Sequence, residues 1–231
     1  MKNTLKRTVN IILAMSILFL SLASRAESDD DSFVQFKISS LQLFSSFSSF
    51  IYFQGDDRNR TRLLNAKNRG DKAVAALPDT EVELKLKWKK ISAYVKSYQS
   101  HDFDGVDMSL EGGWSILQKE LTDIIDAREG SKVEGIAAVQ IKMESILSQY
   151  MSYANSTTGG YGVSYSNTPL EEQINAMKQK LVVLAQADDQ YQPLLKKWNY
   201  IQGTLLAYNS NVAPFVVLYT FDGMRAMIAS D

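Results

Sequence analysis

Leu84–Tyr98, LKLKWKKISAYVKSY, is the most informative segment of the sequence, because Leu194–Tyr208, LLKKWNYIQGTLLAY, repeats its main positions 110 residues later. In both stretches an isoleucine follows the tryptophan after three residues, and a tyrosine ends the stretch. Side chains spaced by three and four residues lie on one stripe of an α-helix. We therefore expect two helices that pack against their neighbours through structural residues. These residues are Trp88, Ile91, Trp198 and Ile201.

Two further pairs of segments indicate an internal repeat. Residues 34–41, VQFKISSL, resemble residues 139–146, VQIKMESI, at an offset of 105, and residues 103–106, FDGV, resemble residues 221–224, FDGM, at an offset of 118. The offsets increase along the chain, as expected if the second copy gained a few residues between successive segments. The sequence thus predicts an all-α, elongated helical bundle made of two related helical units from a tandem duplication. The first unit covers residues 27–130 and the second covers residues 131–231.

The first 26 residues have the composition of a secretory signal peptide. Lys2, Lys6 and Arg7 precede an apolar run of about 15 residues, and Ser24-Arg25-Ala26 follows with small residues at the cleavage-determining positions. A retained membrane anchor is the alternative, but a span needs about 20 apolar residues. We therefore predict cleavage after Ala26 and a bacterial protein that is periplasmic or secreted, without a stable transmembrane span.

The composition of the exported chain argues against several classes of protein. The sequence contains no cysteine, which excludes disulfides, thiolate metal sites and a lipoprotein acceptor thiol. Removal of residues 1–26 takes away four basic and no acidic side chains, so the formal charge of −1 becomes about −5. Negative charge and export both disfavour a nucleic-acid partner, and we expect none.

The other helices are predicted from periodic apolar residues. Residues 33–53, FVQFKISSLQLFSSFSSFIYF, carry apolar side chains at helical spacings with serines between them, which favours a buried bundle helix. Membrane insertion is the alternative, and Lys37 with the glutamines and serines makes it costly. Gly70 is a possible break, and Thr80 with Glu83 predicts a capping box before the Trp88 helix. Residues 212–230 are expected to be helical, although part of this segment would also suit a strand.

Two polar segments carry the candidate residues for binding a ligand or a partner. Residues 56–62, DDRNRTR, hold Arg58, Arg60 and Arg62, of which only part could form one anion site, because alternate positions do not share a helical face. Residues 155–169 are rich in Gly, Ser, Thr and Asn and form the clearest loop, and loops often carry recognition. Its candidate contact residues are Tyr161 and Tyr165. A solvated helix surface and a plain connector are the structural alternatives for these segments.

No sequence motif predicts catalysis, a cofactor or a metal. A glycine-rich phosphate loop, His-Glu-x-x-His, Gly-x-Ser-x-Gly and Cys-x-x-Cys are all absent from the sequence. Residues 102–107 resemble a calcium loop, but Glu111 lies too close for the required spacing. We expect a non-enzymatic protein, similar to a sensor or binding module, that binds a small ligand or an envelope protein. The alternatives are a structural or assembly component of a secretion or pilus system, and a membrane-active helical toxin.

Overall fold

Eight α-helices form the regular structure in the part of the chain that the computed structural model describes, residues 30–101, 103, 108–128, 133–157 and 168–229. Helix α1 spans residues 30–52. The other helices are α2 Asp57–Ala75, α3 Val82–Tyr98, α4 Met108–Ala127, α5 Gly135–Thr157, α6 Leu170–Ala187, α7 Gln192–Leu206 and α8 Pro214–Ala229. A 3-10 turn, Asp189–Tyr191, precedes α7, and these described residues contain no β-strand. The predicted all-α helical bundle is confirmed.

Local signals explain where several helices begin. Asp56 caps α2, because its Oδ1 accepts a hydrogen bond of 2.7 Å from the backbone N–H of Asn59. Pro193 lies in the first turn of α7, where its missing N–H removes no helical hydrogen bond. The capping box predicted at Thr80 is wrong, because the residue before α3 is Glu81 and no side chain caps this helix.

The first core group consists of the buried apolar residues of α1 to α4. Trp88, which is 2% exposed, packs edge-on against Phe36 with 5.7 Å between the ring centroids. The break expected at Gly70 is wrong, because α2 continues through this residue. A Cβ added at Gly70 would lie 2.0 Å from the indole of Trp88, so the glycine makes room for the tryptophan.

The second core group consists of the buried apolar residues of α5 to α8. In this group each helix contacts the next and α8 returns to α5, which closes a four-helix ring. The two stretches found in the sequence have the same burial pattern, each within its own core group. The buried residues are Leu84, Trp88, Ile91 and Val95 in α3, and Leu194, Trp198, Ile201 and Leu205 in α7.

The segment pairs that suggested a duplication differ in how well they correspond. Residues 34–41 lie within α1 and residues 139–146 lie within α5, so both segments of this pair are helical. The third pair does not correspond, because Phe103 lies between α3 and α4, whereas Phe221 lies within α8. A common ancestry of the two halves stays a prediction.

Helices α1 and α5 are buried on most sides and contact each other between the two core groups. Nε2 of Gln42 on α1 donates a hydrogen bond of 3.0 Å to Oε1 of Glu144 on α5, and Nδ2 of Asn155 donates one of 3.1 Å to the backbone oxygen of Ser48. The hydroxyl of Ser40 donates to a carbonyl one turn earlier in its own helix, over 2.8 Å. Bonds of this kind explain how α1 buries six serines with few partners on other helices.

Candidate functional site

The structure does not bring the three candidate arginines together. Arg58 lies over the ring of Phe215 on α8, with 5.3 Å between its Cζ and the ring centroid. Arg60 donates a hydrogen bond to the backbone oxygen of Gln99 at the end of α3. Arg62 pairs with a carboxylate on α8. Each guanidinium therefore serves a contact within the protein. The two candidate loop residues lie outside the described residues: Tyr161 and Tyr165.

A cluster of polar and charged side chains lies between the two core groups. We call it the buried ion cluster, and it consists of Gln42, Arg62, Arg69, Glu144, Asp222 and Arg225. Nε of Arg69 donates a hydrogen bond of 2.9 Å to Oε1 of Gln42. Nε and Nη2 of Arg225 donate to the two carboxylate oxygens of Glu144 over 2.7 and 2.6 Å, which makes a bidentate ion pair. Nη1 of Arg225 donates to Asp222 over 2.9 Å, and Asp222 also accepts from Arg62. The cluster therefore connects α1, α2, α5 and α8.

Burial makes the Glu144–Arg225 pair costly to disrupt. The side chain of Glu144 is 0% exposed and that of Arg225 is 17% exposed. Desolvation alone would lower the pKa of Arg225, but the charges and hydrogen bonds of Glu144 and Asp222 outweigh it and raise the pKa above its ordinary value. Because Arg62 and Arg225 already engage both carboxylates, we interpret the cluster as a joint that fixes the packing of four helices.

A groove with a volume of about 840 Å³ lies among α1, α4, α5 and α6, and we call it the inter-bundle groove. None of the residues of the buried ion cluster lines it. Its volume falls within the range of about 300–1,000 Å³ that is typical of small-molecule sites. Part of the lining is apolar. This part includes Phe33, Val34, Leu41, Phe44, Ile125 and Ile141.

Buried amides and hydroxyls form the polar part of the groove. Nε2 of Gln173 donates a hydrogen bond of 2.7 Å to Oε1 of Gln149, and Nε2 of Gln118 donates one of 3.0 Å to the hydroxyl of Ser148. Gln118 is 2% exposed, and its Oε1 is buried without a hydrogen-bond partner. Unpaired buried polar atoms are uncommon in native proteins. Among the described residues, Gln118 therefore has an acceptor beside the groove that no protein donor satisfies.

Lysines supply most of the charge around the groove. Two of the lysines form ion pairs across 3.3 and 2.6 Å, namely Lys37 with Asp126 and Lys119 with Asp123. Within the described ranges, no carboxylate pairs with Lys142 or Lys180, which also line the groove. Burial, together with repulsion from Lys180, lowers the pKa of Lys142. An anion beside these two lysines would offset both effects.

A second pocket, of about 540 Å³, lies on the outer side of α2 and α3 and is more open than the groove. Its one carboxylate, on Asp71, accepts hydrogen bonds of 2.8 Å from Nε1 of Trp88 and 2.7 Å from Nζ of Lys67. Desolvation would raise the pKa of Asp71, but the bonds from Lys67 and Trp88 outweigh it and lower the pKa below its usual value. Asp71 therefore holds Trp88 in place, and we do not assign a ligand to this pocket.

Neither metal binding nor membrane spanning is indicated by the residues that the structure describes. Among them, no three His, Cys, Asp or Glu side chains are grouped closely enough to hold a metal ion. The described helices also include none whose length and hydropathy would suffice to cross a membrane.

Sequence reasoning missed the buried ion cluster and the groove, although α5 carries a signal for both. Its residues Gln140, Glu144, Ser148, Ser152 and Asn155 follow one another at spacings of four and three, so they form a polar stripe beside the apolar one. A solvated helix face usually carries several charged residues, whereas this stripe has one. A stripe of this composition indicates burial against other polar groups.

Comparison with known proteins adds no information on the site. No protein-family model matches the chain, and no curated protein or solved structure matches it. Function is therefore inferred from the residues of this chain.

Proposed function

We propose that this chain is an exported, non-enzymatic helical-bundle protein that binds a small ligand in the inter-bundle groove. The observation that supports the proposal is the groove, whose lining combines apolar side chains with buried amides. One acceptor in that lining, Oε1 of Gln118, is buried and has no partner. Small-molecule sites typically combine such an apolar lining with a few placed polar groups.

The position of the groove favours a sensor-like role. Its lining comes from α1 and α4 of the first core group and from α5 and α6 of the second. A ligand in the groove would contact both groups at once and would favour the arrangement that fits it best. Export and the absence of catalysis are inferred from the sequence, namely from residues 1–26 and from the lack of catalytic motifs.

Thermal unfolding of the purified protein with a library of small metabolites tests this proposal. A ligand at one hundred times its Kd raises the free energy of unfolding by about 2.7 kcal/mol, which shifts Tm measurably. Ala138→Phe should reduce or abolish the shift because its ring occupies part of the groove. Ala176→Phe, at an exposed position of α6 outside the groove, is the matched control and should retain the shift. A ligand that stabilises both variants equally binds elsewhere and contradicts the proposal.

Assembly of an envelope apparatus is the second candidate function, and exposed aromatic side chains on α7 and α8 favour it. Tyr200, Phe215 and Tyr219 are 73%, 59% and 65% exposed. Phe215 and Tyr219 are four residues apart and so lie on one face of α8. Aromatic residues are enriched at protein interfaces. Co-purification with envelope proteins that is lost in a Phe215→Ser/Tyr219→Ser variant would support this role, and co-purification that is unchanged would remove it.

A further inference from the structure

We propose that the ligand of the inter-bundle groove is an organic anion that has an apolar body and an N–H or O–H group. This inference rests on the proposed function and specifies the ligand class of the same site. Three features of the lining lead to it: an apolar surface, two lysines with no carboxylate partner among the described residues, and one buried acceptor with no donor among them.

The charge of the lining selects an anion. The groove is lined by five basic and two acidic side chains, whereas the whole chain has a formal net charge of −1. Both acids, Asp123 and Asp126, are already engaged with Lys119 and Lys37. Arg128 pairs with Glu81 outside the lining, so the positive charge that remains for a bound group is that of Lys142 and Lys180. A concave site of one sign concentrates ligands of the opposite sign.

Lys142 is the residue that we expect to contact the anionic group. It lies on α5 between two other groove residues, Ile141 and Ser145, and its side chain is partly buried. Burial and the charge of Lys180 both disfavour its protonated form and lower its pKa. A bound carboxylate would reverse both effects, because it would replace lost hydration with a charge-assisted hydrogen bond and screen the repulsion between the two lysines.

Gln118 is the reason why we expect an N–H or O–H donor on the ligand. Its Nε2 donates to the hydroxyl of Ser148 over 3.0 Å, and among the described residues its Oε1 has no hydrogen-bond donor. A ligand N–H or O–H group would satisfy this oxygen, which is otherwise a desolvated acceptor without a bond. Phe33, Phe44 and Ile141 offer apolar surface to the body of the ligand.

Isothermal titration calorimetry of the full exported protein with four related probes tests the ligand class. Indole-3-acetate carries the anion, the apolar body and the N–H donor. Indole-3-ethanol is its neutral counterpart, tryptamine is its cationic counterpart, and 1-naphthaleneacetate keeps the anion but lacks the N–H. Indole-3-acetate should bind about tenfold or more tightly than indole-3-ethanol and tryptamine, and about three- to tenfold more tightly than 1-naphthaleneacetate.

Lys142→Gln should weaken the binding of indole-3-acetate about tenfold or more and leave the binding of indole-3-ethanol nearly unchanged. The matched control is Lys178→Gln, which removes the same charge from α6 at a position outside the groove lining and should change neither Kd. The Tm of Lys142→Gln should equal or exceed that of the parent protein, because the substitution removes a desolvated and repelled charge. A melting curve therefore also shows that the variant is folded.

The outcomes separate this inference from the proposed function. Tightest binding by indole-3-ethanol or tryptamine, blocked by Ala138→Phe, would overturn the anionic ligand class while the groove remained a binding site. Equal weakening by Lys142→Gln and Lys178→Gln would overturn the assignment of Lys142. Failure of all four probes to bind at millimolar concentration would count against the groove as a small-molecule site.

Discussion

Neutralising Glu144 should destabilise the protein more than any surface charge change. The carboxylate is 0% exposed and accepts three hydrogen bonds, one of 3.0 Å from Gln42 and two of 2.7 and 2.6 Å from Arg225. In Glu144→Gln the new amide places an NH₂ group against the donors of Gln42 or Arg225, and Arg225 keeps only Asp222 as a carboxylate partner. Removing one member of a buried ion pair typically costs about 3–5 kcal/mol.

A double-mutant cycle distinguishes this cost from a general loss of packing. Arg225→Met leaves Glu144 as an uncompensated buried charge and should also cost about 3–5 kcal/mol. Glu144→Leu leaves the charge of Arg225 without its main partner and completes the set of single variants. Glu144→Leu/Arg225→Met removes both charges, so it should be more stable than Glu144→Leu or Arg225→Met alone. The free energy of unfolding is measured by urea denaturation at pH 7, followed by circular dichroism.

The control for this cycle is the exposed pair of Lys119 and Asp123, whose side chains are both 62% exposed. An exposed pair four residues apart on a helix contributes about 0.3–0.5 kcal/mol, so Lys119→Gln should have little effect. A loss below about 1 kcal/mol for Glu144→Gln, or additive effects of the single substitutions at 144 and 225, would refute the assignment of the pair as a buried joint.

Three further predictions concern packing, pH and export. Gly70→Ala should lower the free energy of unfolding, measured with guanidinium, by about 1–3 kcal/mol, because its Cβ would lie 2.0 Å from Trp88. The control is Gly203→Ala, whose Cβ would meet nothing within 4 Å, and it should raise the free energy of unfolding by up to about 1 kcal/mol. The pKa of Asp71 is lowered from 3.8, so its ionised form stabilises the fold above pH 3.8, and this contribution is lost as the pH falls through the folded-state pKa. Asp71→Asn should flatten the acid side of the stability curve, and an unchanged curve would contradict the bond to Trp88. Mass spectrometry of the exported protein should find an N-terminus directly after Ala26, and an intact first segment would contradict cleavage.

The all-α class and the buried faces of α3 and α7 could be predicted because they depend on local periodicity. The three- and four-residue spacings around Trp88 and Trp198 specify which side chains face inward, whatever the neighbouring helices are. Periodicity does not specify which helix covers each tryptophan. Phe36 of α1 packs on Trp88, whereas Phe221 of α8 packs on Trp198. Nε1 of Trp88 donates a hydrogen bond to Asp71, whereas Nε1 of Trp198 is buried and has no partner among the described residues.

The errors in helix boundaries and repeats have physical causes. Helix propensity alone predicts that α2 breaks at Gly70, but a glycine inside a helix also permits close approach of a large ring. The capping box at Thr80 depends on backbone geometry, and α3 begins after Glu81 instead. The match of residues 103–106 with residues 221–224 paired Phe103, which lies outside the helices, with Phe221 inside α8. A short sequence similarity does not reveal such a difference.

The groove and the ion cluster could not be predicted because they arise from contacts between distant parts of the chain. Gln42 and Glu144 are 102 residues apart, and Arg62 and Asp222 are 160 residues apart. The sequence suggested that the arginines were available to a ligand because they lie in the most polar segment. In the folded chain Arg58 and Arg62 contact α8, and the free charge is on Lys142 instead.

An NMR titration of ¹⁵N-labelled protein with indole-3-acetate shows whether the inter-bundle groove is the binding site, because it identifies the residues that a ligand contacts. The proposal predicts that the side-chain amides of Gln118 and Gln173 and the backbone amide of Lys142 shift together, with one common Kd. The backbone amides of α7, such as that of Tyr200, should stay unchanged. Shifts that centre on α7 or α8, or that leave Gln118 and Lys142 unaffected at saturation, would contradict it.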